Sequence, residues 1–122
     1  MPKQKSDKRS RDERREEALR PCDTLGYDRD SLALHFLEKE MFALAEAQLR
    51  RAIWLNPFEP VFKVHLGWCL YRQDKFAEAQ EWARKALDLK EDSNTRDLLN
   101  LIERALDEEN GQHAQGAQES GS

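Results

Sequence analysis

Cysteine is scarce in this chain: Cys22 and Cys69 are too few for a disulfide framework and too far apart for a zinc-binding pair. Only five glycines and four prolines punctuate the 122 residues, which is little turn chemistry for a many-stranded β fold. No apolar stretch reaches the roughly 18 residues of a membrane span, and the first twenty residues lack the apolar run of a signal peptide. The cytoplasm is the expected compartment. Catalytic signatures are missing too, with no Gly-rich phosphate loop, Gly-x-Ser-x-Gly elbow or His-Glu-x-x-His pair. His35, His65 and His113 show no ligand spacing. The carboxylates Asp12, Glu13, Glu16 and Glu17 lie on a polar segment, not in a pocket where acid–base chemistry could be held. A non-enzymatic chain with no cofactor and no metal is expected.

What is present is charge, at 36% of residues, so the core must come from a patterned subset of side chains. The charge is uneven. Residues 1–20 hold eight Lys/Arg against five Asp/Glu, residues 21–106 twelve against fifteen, and residues 107–122 none against four. The acidic body argues against nucleic acid as a partner. The basic start could touch nucleic acid, but five acids dilute its field and no aromatic is interleaved for stacking on bases.

Three zones follow. Residues 1–25 form a charged, largely flexible segment, in which Ser10 with Glu13 and the pair Glu16–Arg20 predict a short helix over 11–20 ended by Pro21. Residues 108–122 contain no large apolar side chain and are expected to be disordered. Between them, residues 26–107 carry helical periodicity. Leu32, Phe36 and Leu37 mark a first helix. Phe42, Ala45, Leu49, Ala52 and Ile53 mark a second, stopped by Asn56-Pro57. Pro60 opens a third with Val61, Val64, Trp68 and Tyr71. Phe76, Ala79, Ala83, Ala86 and Leu87 form the apolar edge of a fourth. Ser93 is placed to cap a fifth, with Leu98, Leu99, Leu101, Ile102 and Leu106, and Asn110-Gly111 to stop it.

Sliding the sequence by 34 aligns residues 26–59 with 60–93 without a gap. Seven pairs are identical: Leu32/Leu66, Phe42/Phe76, Ala43/Ala77, Ala45/Ala79, Arg50/Arg84, Ala52/Ala86 and Leu55/Leu89. A constant stride is the mark of stacked repeats, and a simple helix bundle does not require one. Small residues at Ala33/Gly67 and Ala45/Ala79 let helices approach. Phe42/Phe76 and Leu55/Leu89 are placed to fill the layer between repeats.

The second unit, with Leu66-Gly67, Leu70, Phe76, Ala79 and Ala86-Leu87, resembles the tetratricopeptide repeat. The first unit keeps Leu32, Phe36, Phe42, Ala45, Ala52 and Pro57, with Ala33 for the usual glycine; the second has Glu91 for the usual proline. The resemblance implies an all-α fold of antiparallel helix pairs, stacked as a short right-handed superhelix and closed by a solvating C-terminal helix.

It also implies a concave groove lined by the first helix of each pair and used to hold a partner. Carried onto this chain, the groove residues are Tyr27, Asp30, Leu34, Leu37 and Glu38, then Val61, Val64, His65, Trp68, Tyr71 and Arg72. The last helix adds Thr95, Leu98, Leu99 and Ile102. Family adaptors that grip a C-terminal carboxylate use lysine and asparagine where this chain has Asp30 and Leu34, so that specificity is not expected. The apolar lining is similar in character to that of secretion-system chaperones with these repeats. The expectation is an adaptor, scaffold or chaperone for a peptide with apolar anchors, Trp68 and Tyr71 being the central pair. Two alternatives stand beside it: a homodimer that supplies a missing repeat neighbour, through Trp54 or the groove, and a nucleic-acid accessory factor using the basic arm.

Overall fold

A computed structural model describes residues 25–121, with side chains through Gly111. The expected capping box, helix and basic arm of the first segment lie outside the described residues. Five helices follow in order: α1 Tyr27–Glu38, α2 Phe42–Leu55, α3 Pro60–Arg72, α4 Phe76–Leu89 and α5 Ser93–Gly121. Each packs on the next, and α1 touches α3 while α3 touches α5. The chain is therefore two helical pairs, stacked and closed by α5, with the first helix of each pair and α5 side by side. No strand occurs among the described residues.

Local chemistry sets the boundaries. Pro60 occupies the first turn of α3, and the Glu59 side chain accepts from the Val61 backbone N–H. Asn56, fully enclosed, ends α2 and accepts from the Phe58 N–H through Oδ1. At the start of α5, Asp92 is the capping residue, not Ser93. Its carboxylate accepts from the backbone N–H and the hydroxyl of Thr95. The turns inside the two pairs are copies of each other. Glu40 (φ 58°) and Asp74 (φ 63°) are left-handed at positions 34 apart. Met41 N–H donates to the Phe36 carbonyl as Lys75 N–H does to that of Leu70, which satisfies last-turn carbonyls in both helices.

The core runs through the stack as Leu49, Phe62, Leu66, Leu70, Leu98 and Ile102, all fully buried. Alanines at 33, 45, 52, 79, 83 and 86 bring the helices close around it. At Gly67 a Cβ would meet Leu98 Cδ2 at 3.3 Å, so the glycine seats α5 against α3. Cys69 is a buried free thiol that donates to the Phe42 carbonyl, and burial, with the nearby Glu46 charge, pushes its pKa up. It serves as a small apolar side chain.

Three expectations are corrected. The helix α5 does not stop at Asn110-Gly111 but continues to Gly121. Nothing lies within 4 Å of a Cβ at Gly111, so no neighbour interrupts it, and the Gln and Ala that follow are good helix formers. Leu89 is exposed, not packed between repeats, because it lies at the very end of α4. The third correction concerns Leu98 and Ile102 and belongs with the candidate site.

Candidate functional site

The face expected to hold a partner is carried by α1, α3 and α5, which lie side by side. Tyr27 opens it, its ring edge-on to Phe62 at 5.1 Å and its hydroxyl donating to Glu59 Oε1. That link ties the start of α1 to the loop before α3. Leu34 is exposed one to two turns further along α1, while Leu37 is half-buried against the core. On α3, Trp68 is 37% exposed and stands edge-on to Tyr71 at 5.8 Å. Tyr71 in turn contacts Phe76 at 5.6 Å. Trp68 is thus a surface ring whose orientation is fixed from behind by a packed aromatic row.

Four residues from Trp68, about one helical turn away on the same side of α3, Val64 borders a cavity of about 340 Å³ with Pro60, Val61, His65, Lys90, Asn94, Thr95 and the acids Glu59 and Asp92. The walls come from the start of α3, the loop after α4 and the start of α5. His65 is held across the face by Asp30, Nδ1 to Oδ1 2.6 Å. A carboxylate can only accept, so the Nδ1–H donates. Asp30 is itself buried. Its carboxylate joins α1 to α3.

Arg72 is also engaged: its guanidinium lies 5.2 Å from the centre of the Phe42 ring and pairs with Glu40 at 3.2 Å. Of the residues expected to meet a partner, Tyr27, Leu34 and Trp68 are exposed and Val61, Val64 and His65 partly so. Tyr71 and Leu37 support that face from beneath. Leu98 and Ile102, expected in the groove, are sealed in the core with no exposed surface. The helix α5 packs its apolar stripe against α3 and α4, and that turns both side chains inward. Thr95 and Leu99 are buried with them.

Residues that sequence reasoning missed are Glu59, Pro60, Lys90, Asp92 and Asn94. All lie in or next to a connection, where no periodicity marks an inward side chain. No group of metal-ligating side chains gathers among the described residues, and no described helix is long and apolar enough to cross a membrane.

Residues 62–93 match the family model for the tetratricopeptide repeat. This is the second helical pair, from the first turn of α3 to the start of α5. No match among curated proteins was found.

Proposed function

We propose that this tetratricopeptide-repeat protein is a non-catalytic docking module whose inner face holds a peptide segment with apolar anchors, as an adaptor, scaffold or chaperone does. The repeat is a protein-interaction architecture; the finer assignment rests on one observation. Trp68 offers a large aromatic surface, locked edge-on by Tyr71, one turn from a cavity bordered by Val61 and Val64. One anchor side chain of the partner lies on the Trp68 ring and a second enters the cavity. His65 and Asn94 there supply polar contacts that fix orientation.

A well-buried anchor is worth about 2 kcal/mol, whereas micromolar affinity needs about 8. With Leu98 and Ile102 sealed in the core, the accessible face is short, and the binding it supports is weak and reversible. Self-association through Trp54 has less support: Arg51 already lies over that ring at 4.7 Å.

The test is capture of partner protein by Trp68→Ala and by Leu34→Ala, with Trp54→Ala as control and helicity followed by circular dichroism. Both groove variants lose capture about tenfold or more while folded, and the control does not. Undiminished capture by folded Trp68→Ala rules the reading out.

A further inference from the structure

The second pair shows which side a pair turns toward the one before it. On α3, Phe62, Leu66 and Leu70 are fully buried, and Gln73, just past the helix, donates to Glu46 of α2 at 2.9 Å. At the start of α4, Lys75 pairs with Glu46 at 3.3 Å and Glu78 with Arg50 at 3.4 Å. The same places 34 residues earlier are held by Asp28, Leu32, Phe36, Lys39, Met41 and Leu44. Leu32, Met41 and Leu44 each leave at least two fifths of their surface to water, and Phe36 is half-buried. Where the internal junction has a charged rim at Lys75 and Glu78, the open end carries methionine and leucine.

A cover for this face has to be apolar in its middle, which narrows the occupant. The outer side of α5 is polar, with Arg96, Asp97, Asn100 and Arg104 exposed, so copies do not stack head to tail. The 24 residues before Leu25 hold only Met1 and Leu19 as large apolar side chains. The open face itself has the needed composition, and a two-fold axis sets it on its own copy.

Its charges fit that operation. Asp28 in the first turn of α1 and Lys39 at its C-terminal end lie on the same side as Leu32, about 16 Å apart along the axis. Both are exposed, and neither forms an ion pair among the described residues. Two copies of α1 laid antiparallel bring Asp28 of each to Lys39 of the other, with Leu32 and Phe36 between and His35 as a further polar group. Parallel helices would oppose like charges. Two helices about 20 Å long and about 10 Å across present about 400 Å² per copy, half of the ~800 Å² of a standard interface, so the association is weak.

We propose that the occupant of the open face is a second copy of this chain. The two copies form a weak two-fold dimer through α1 and the start of α2, with antiparallel α1 helices and reciprocal Asp28–Lys39 pairs. The inference stands apart from the groove reading, because this face belongs to the end of the stack and not to the side that carries Trp68.

Sedimentation of the full chain tests it, under reducing conditions that exclude a disulfide through Cys22. Over about 10 µM to 1 mM the weight-average mass rises from 14.3 kDa toward twice that value. Met41→Lys with Leu44→Glu, matching the residue types at 75 and 78, keeps the fold and holds the mass at 14.3 kDa. Should that variant lose helicity, the charge variants decide. Asp28→Lys alone and Lys39→Asp alone each weaken association about tenfold. Mixing the two restores it, because both reciprocal pairs are again of opposite sign. Trp54→Ala and Trp68→Ala leave the dimer unchanged. A mass that stays at 14.3 kDa up to about 1 mM overturns the proposal. So does a dimer that survives the folded Met41→Lys, Leu44→Glu variant or is lost in either tryptophan variant. Charge variants that associate no better together than apart overturn it as well.

Discussion

The two ends of the stack face the same physical problem and solve it differently. At the C-terminal end α5 buries Leu98, Leu99 and Ile102 inward and shows Arg96, Asp97, Asn100, Arg104 and Asp107 outward. That spacing is one polar helix face, so the last repeat is closed by a helix that needs no neighbour. At the N-terminal end, Leu32 and Leu25 stand exposed on the outermost pair. Leu32 and Leu66 are the same residue at the same place in the repeat, one exposed and one sealed. Burial here is set by what stacks beside a repeat, not by the repeat itself.

This contrast can be broken by substitution, beginning with the closed end. Ile102→Ala leaves a void between α5 and the pair it covers and costs ~2–5 kcal/mol, read as a drop in denaturant midpoint. Gly26→Ala comes next. Gly26 has φ 96°, and a Cβ there would lie 2.7 Å from Phe62 Cε2 and 3.0 Å from the Ala52 carbonyl oxygen. Backbone strain and displacement of a fully buried ring together cost about 2 kcal/mol or more. Leu32→Ala costs about 1 kcal/mol, well below Leu66→Ala, because only part of its side chain leaves water. Equal losses at 32 and 66 would mean that the two ends are equally closed.

The smallest effect is electrostatic and lies at the junction between the pairs. Burial alone would raise the Glu46 carboxyl, but hydrogen bonds from Gln73, Arg50 and Lys75 outweigh it and hold its pKa below the ordinary 4.5. A carboxyl lowered by folding adds stability above its unfolded value and loses it as pH falls through the folded one. Acid titration of the thermal midpoint below about pH 4.5 should therefore be flatter in Glu46→Gln, by under ~1 kcal/mol since the group is partly exposed.

Much of this was legible from the chain alone, for a physical reason. A 34-residue stride repeats the small and large positions on which helices close, so Ala33, Ala45, Ala52 and Gly67 announced the stacking before any coordinates. Pro60 and Asn56-Pro57 announced the breaks. The rotation of α5 was not legible. Leu98, Leu99, Leu101 and Ile102 are apolar on adjacent positions, and composition does not say which of them turns inward. The left-handed turns at Glu40 and Asp74 were hidden because neither residue is glycine. The role of Asp30 was hidden because its partner, His65, is 35 residues away.

The central claim concerns which surface meets a partner, and site-directed photocrosslinking addresses it most directly. A photoreactive phenylalanine analogue would replace Trp68, Leu34, Trp54 or Leu32 in the full chain, with irradiation in the source cell's own extract. The account predicts adducts to a partner protein from positions 68 and 34 and none from 54. Adducts from 54 or 32 alone, with 68 and 34 silent in folded protein, would contradict it.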